Sequence, residues 1–296
     1  MTFIELNDVI KLYETENKNV KVPALRGVEL AVEKGDLIAI IGPSGSGKTT
    51  LIKMVGGIES PSSGTVRVGD LLVNDLKRRE LVQYRRKTVG FMWQFPEKNL
   101  LQGLSVFDNI TTPMELAHTY AREERKKRAL ELIEAVGLTQ RKHHKSHQLS
   151  GGEAQRAALA VALANEPEVV LADEPTGELD SGNAARIIDY LRELNKSLGQ
   201  TFIVVTHDQR FATMTNQTFK IRDGVLHGIH RPTQPTKGGG RNLLDREHLL
   251  TVDSFGAVRL PKEILERAGV TKLARVAYNK ERNSIELFAA DEHMEG

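Results

Sequence analysis

GPSGSGKT, residues 42–49, is the stretch on which the reading of this chain turns. It follows the apolar run Leu37–Ile41 and precedes a stretch of helical character, so the octet falls at a strand-to-helix turn, the context of the P-loop pattern. Its glycines let backbone N–H groups curl around phosphate oxygens, which a Cβ would obstruct. The N-terminus of the following helix adds partial positive charge at the same point. Lys48 is spaced to reach the β- and γ-phosphates of a nucleotide, and the Thr49 hydroxyl to ligate Mg2+. Nucleotide contacts are expected from Gly42, Pro43, Ser44, Gly45, Ser46, Gly47, Lys48, Thr49 and Thr50.

VVLADE, residues 169–174, supplies the second half of such a site. An apolar strand ending in an acid puts that carboxylate at the C-terminal edge of a sheet, where α/β folds bind ligands. Asp173 is expected to hold the metal and Glu174, one residue on, to polarise the attacking water. A strand ending in Asp-Glu is commonplace alone; the P-loop upstream gives it meaning.

Residues 37–41, 169–172 and 202–205 read as buried strands, too short and too continuously apolar for exposed ones. Helical stretches at 122–136 and 154–164 lie among them, which predicts an α/β domain with a largely parallel sheet. The 296 residues allow one large or two modest domains; 40% are hydrophobic and 27% charged, an ordinary soluble balance. A net charge of +2 gives no strong field for nucleic acid, and the absence of cysteine removes disulfides and thiolate metal sites. The opening MTFIELNDVIKLYE lacks the basic-then-apolar run of a signal peptide. No apolar stretch reaches the ~18 residues needed to span a bilayer, so any path across a membrane is expected from another chain.

LSGGE, residues 149–153, followed by AQRAALAVAL, resembles the signature motif and helix of the ABC ATPase family. Ser150 is expected to cap that helix, so that its N–H groups and dipole face a γ-phosphate. The resemblance implies that Leu149, Ser150, Gly151, Gly152 and Glu153 complete the ATP site of an opposite subunit, with two composite sites in a head-to-tail homodimer. It further implies a Q-loop glutamine at Gln94 that touches ATP and Mg2+, an interface residue at Asp180 and a switch histidine at His207 that assists Glu174. By the same resemblance Tyr13 lies against adenine. It spans residues 1–230 and leans toward the macrolide-efflux and lipoprotein-release branch through VPALRGV (22–28), EPTGELD (174–180) and VVTHD (204–208). Trp93, where relatives usually carry Phe, and the wording of residues 96–103 depart from the pattern on the side that meets a permease.

The expected fold is therefore an α/β P-loop ABC ATPase domain with a helical subdomain over residues 1–229. HRPTQPTKGGGR, residues 230–241, is rich in Pro, Gly and Thr without periodicity and reads as a linker, bounded at 230–242. Residues 243–296 form a second, mostly-β domain: a strand at 249–252, a turn at 253–256, a strand at 257–260, a helix from Pro261 to near Gly269, then a hairpin of 274–278 with 284–288. VDSFGAVRLPKEILERAG within it resembles the AbrB-like swapped-hairpin domain, which forms as an intertwined dimer and in many members binds DNA. Here Ala257 stands where an Arg is usual, and residues 241–296 hold nine Lys and Arg against ten Asp and Glu, too acidic a balance for a DNA module. The tail is expected to tether the ATPase dimer, with a purely stabilising appendage and DNA binding as alternatives. His143, His144 and His147 are interleaved with Lys142 and Lys145, which would repel a cation, so they read as a solvated basic loop.

Together these readings imply an ATP-hydrolysing subunit using ATP and Mg2+ beside a separate transmembrane permease, peripheral on the cytoplasmic face of the cell membrane. A soluble ABC protein of the translation-factor or repair kind is the alternative; those usually carry two ATPase domains or a long coiled coil, and this chain shows neither. An ATPase-linked nucleic-acid regulator is a third reading, which salt-sensitive DNA binding would mark.

Overall fold

A computed structural model describes residues 2–14, 21–232, 246–249, 260, 265–266, 269–270, 274–279 and 284–289. The chain divides into two compact units, Met1–Leu249 and Leu250–Gly296. In chain order the first unit runs β1 (Thr2–Glu14), β2 (Lys21–Glu33), β3 (Leu37–Ile41), α1 (Lys48–Val55), β4 (Ser63–Val68), β5 (Leu71–Leu72) and α2 (Arg78–Lys87). It continues through β6 (Val89–Met92), α3 (Val106–Ala117), α4 (Arg122–Ala135), α5 (Gly151–Leu163) and β7 (Val169–Asp173). Then come α6 (Ser181–Leu198), β8 (Thr201–Thr206), β9 (Gln217–Arg222), β10 (Val225–Pro232) and β11 (Arg246–Leu249).

Among the described residues, the larger sheet has the order β11-β10-β9-β3-β8-β7-β6. From β9 to β6 its pairings are parallel, and every residue of β3, β7 and β8 is buried, as continuous apolar runs require when both faces are covered. The alternation along β3 sorts its side chains into two cores. Leu37, Ala39 and Ile41 pack with α3, α4, α5 and α6, while Ile38 and Ile40 pack with α1 and the antiparallel strands.

The antiparallel sheet, β2-β1-β4-β5, is absent from the sequence reading. Register shifts in β1 between Leu6 and Val9, and at Val9 to Ile10, break the period-two alternation that would have marked a half-buried strand. β10 continues to Pro232, two residues beyond the start of the segment read as a linker, and pairs there with β11, Ile229 opposite Leu249 and Pro232 opposite Arg246. Leu249, read as opening a strand of the tail, ends β11 instead.

In the second unit, β12 (Ala274–Asn279) and β13 (Ser284–Ala289) form an antiparallel pair with Ala274 opposite Ala289 and Asn279 opposite Ser284. Gly269 takes the left-handed conformation at φ 66°, and the Val270 N–H donates back to the Leu265 carbonyl, the closing geometry of a helix C-terminus. The strand, turn and strand expected over 250–259, and most of the helix after Pro261, lie outside the described residues.

Candidate functional site

The C-terminal ends of β3 and β7 lie in one parallel sheet with β8 between them, so the residues that follow each strand meet at one edge. After β3 the chain must turn tightly against its neighbours. A Cβ on Gly42 would sit 2.2 Å from the Ile221 carbonyl oxygen, and one on Gly47, at φ 100°, 2.4 Å from that of Ala24. The turn bounds an open cavity of 560 Å³ lined by Ala24, Ser44, Gly45, Gly47, Lys48, Thr49, Thr50, Gln94, Glu174 and His207.

Lys48 is buried at the start of α1 and donates from Nζ to the carbonyls of Gly42 (2.8 Å) and Pro43 (3.0 Å). The same ammonium lies 3.4 Å from Glu174 Oε1. The Thr49 hydroxyl donates to both oxygens of Asp173, at 3.0 and 3.1 Å. Burial pushes the Asp173 carboxyl above its ordinary range against the Thr49 hydrogen bond, and the Glu174 charge adds to the rise. Thr49 and Gln94 line the cavity, while Asp173 does not line it and reaches it through the Thr49 hydroxyl; the oxygens of the three are a donor set of the kind a hard divalent cation takes.

Glu174 is held from several sides. Its backbone stands at φ 44°, a conformation that costs a non-glycine residue about 1–2 kcal/mol. Its N–H donates to the Val205 carbonyl, while its Oε2 accepts from the Thr206 hydroxyl (2.9 Å) and the His207 N–H (3.2 Å). The His207 ring approaches the same oxygen, Nδ1 at 2.9 Å. The carboxylate is thereby aimed into the cavity between the lysine and the exposed imidazole.

Other expected residues lie at the rim or away from it. Tyr13 does not line the cavity; its hydroxyl donates to Glu59 and lies 3.4 Å from the Thr50 hydroxyl, which does. Trp93 stacks on Phe91 with ring centroids 4.2 Å apart, which explains how the wider ring is accommodated. Leu149, Ser150, Gly151, Gly152 and Glu153 do not line the cavity either. Ser150 caps α5 by accepting from the Glu153 N–H, and the Glu153 carboxylate accepts in return from the Ser150 N–H. Arg141 lies 2.9 Å from the other Glu153 oxygen and, with those bonds, holds its carboxyl down at about 2. Asp180 caps α6, accepting from the N–H groups of Gly182 and Asn183.

Two residues that sequence reasoning passed over touch this arrangement. Thr206, fully buried, orients Glu174, and its only sequence signal is a hydroxyl closing an apolar strand. Gln155, also buried, donates to the backbone at Gln94 and Pro175. A polar side chain three residues after a buried glycine in an otherwise Ala-rich helix is the signal it offered.

Residues 25–177 match the ABC transporter family. The chain is 41% identical over 227 residues to the lipoprotein-releasing system ATP-binding protein LolD of Legionella pneumophila, covering 75% of this chain and 99% of that protein. It is 43% identical over 223 residues to the macrolide export ATP-binding/permease protein MacB of Hyphomonas neptunium, covering 75% of this chain and 34% of that longer one. Among solved structures, the ATP-binding cassette MJ0796, a dimer in a post-hydrolysis state bound to ADP and Pi, matches with a TM-score of 0.71 and 37% identity. That match covers 77% of this chain and 98% of the cassette.

Proposed function

The chain belongs to the ABC transporter family and is an ATP-binding, ATP-hydrolysing subunit of it; from that premise we propose how its residues divide the work. Lys48 and the backbone N–H groups of residues 44–50 bind the triphosphate, the ammonium exchanging the Gly42 and Pro43 carbonyls for phosphate oxygens. Thr49, Asp173 and Gln94 would hold Mg2+, whose bound charge offsets that of the phosphates. Glu174 orients the attacking water and His207 supports it, as a reaction governed by positioning and charge requires. Tyr13 carries the adenine at the rim.

The observation that carries this reading is the grip on Glu174: Thr206, His207 and Lys48 fix one carboxylate in the lining of the cavity that the glycine-rich turn bounds. The Ser150–Glu153 helix start lies apart from the cavity of its own chain, which supports a head-to-tail homodimer in which it closes the partner's site. No helix among the described residues is long and apolar enough to cross a membrane; the likeness to the ATP-binding protein of a lipoprotein-releasing system is what supports a separate permease as partner and a peripheral place on the cytoplasmic face. The likeness to lipoprotein-releasing and macrolide-export proteins supports that branch of transporters. We assign the second unit, Leu250–Gly296, to an AbrB-like domain that tethers the dimer; its start lies later than the residue 243 read from the sequence because β11 belongs to the first unit, and the β12–β13 hairpin supports the assignment.

Glu174→Gln tests the assignment. ATP hydrolysis is expected to fall at least ~100-fold, the scale of a lost general base, while ATP binding persists and a closed dimer accumulates. Hydrolysis at the unmodified rate would remove Glu174 from its role.

A further inference from the structure

Gln155 lies on α5, one turn and a half beyond the Ser150 cap, and only 2% of its surface is exposed. Its side-chain amide donates two bonds from one nitrogen: to the Gln94 carbonyl at 3.2 Å and to the Pro175 carbonyl at 3.1 Å. These carbonyls belong to two segments at the cavity, one carrying Gln94 and the other following Glu174 directly, and both of those residues line it. The segments also touch each other. A Cβ placed on Gly177 would be in ordinary van der Waals contact, at 3.4 Å, with both the Gln94 side-chain nitrogen and the Glu174 carbonyl oxygen, so the two segments are neighbours there. The Gln155 Oε1, buried as well, has no hydrogen-bond partner. What an apolar side chain of similar size would lose is the pair of donated bonds that join the two segments.

We propose that Gln155 is a positioning residue for hydrolysis, the side chain through which the helix that begins at Ser150 sets the backbone at Gln94 and behind Glu174 in its own chain. This rests on the roles given above to Gln94, Glu174 and the Ser150 helix start. In a head-to-tail pair, contact of one chain's Ser150 with the partner's nucleotide moves α5, and Gln155 carries that displacement into the first chain's own cavity. The two sites are thereby linked through a single buried amide, without direct contact between their nucleotides.

Gln155→Met and Gln155→Glu in the full chain test this beside the unmodified protein. Met keeps the volume and removes both bonds; a fluorescent ATP analogue is expected to bind within about twofold of normal while kcat falls at least tenfold. Glu keeps the shape but sets an oxygen against two carbonyl oxygens, which raises its pKa. Its protonated form regains one O–H donor, so the ratio of its kcat to that of the unmodified chain is expected to rise as pH falls from about 8 to about 6. A pH-independent ratio overturns the proposal. So does Gln155→Met hydrolysing within threefold of normal, or losing nucleotide affinity and thermal midpoint together with rate, which is the signature of a packing residue. Failure of the unmodified chain to hydrolyse ATP would instead overturn the ATPase assignment, and Gln155 with it by a different route.

Discussion

Thr206 shows how much a single hydroxyl can decide. It is fully buried at the end of β8, donates to Glu174 Oε2 and accepts from the Asp208 N–H, so its rotamer and the carboxylate's are fixed together. Thr206→Val keeps the shape and removes the donor, and leaves the Asp208 N–H without its acceptor. A hydrogen bond to a charged group is worth about 1.5–3 kcal/mol, so kcat is expected to fall roughly 10- to 100-fold with ATP affinity retained. Steady-state rates beside equilibrium ATP binding check this, and an unchanged kcat would leave the orientation of Glu174 to its strained backbone, His207 and Lys48.

Among the elements, α5 carries a pH signature in its stability. Its N-terminus is closed by the Ser150–Glu153 box with Arg141 beside it, and the Glu153 carboxyl sits at about 2 against an unfolded value of about 4.3. A folded pKa below the unfolded one stabilises at pH above about 4.3, and that contribution is lost as pH falls from there toward 2. The thermal midpoint of the unmodified chain is therefore expected to exceed that of Glu153→Gln at pH 7, the gap narrowing between pH 5 and pH 3; a constant gap would contradict it. Elements also mark the limit of what the sequence made legible. β3, β7 and β8 announce themselves because both faces are covered and no polar residue interrupts them until the strand ends. β1 and β2 run 13 residues each, but their bulges scramble the alternation, so the antiparallel layer went unread. Site residues followed the same division. Lys48, Thr49, Asp173 and Glu174 stand at fixed offsets from strands that could be read, whereas Thr206 and Gln155 act through contacts 32 and 61 residues distant, which no local pattern encodes.

For the whole molecule, the question is what the second unit does to the first. The first unit extends to Leu249, because β11 pairs with β10. A chain cut at Thr236 would lose that strand, whereas one ending at Leu249 keeps the sheet whole. Light scattering without nucleotide is expected to give a dimer for the full chain and a monomer for the chain ending at Leu249, which should still dimerise with ATP when it carries Glu174→Gln. Two dimers would place the contact in the first unit, and two monomers would remove the tether. The β10–β11 pairing also has a mechanical consequence. The two strands are antiparallel, and the chain leaves for the second unit at Leu249, beside Ile229. Any pull from the tail enters the first unit at its edge strand, with β10 and β9 standing between that strand and β3, which leads into Lys48.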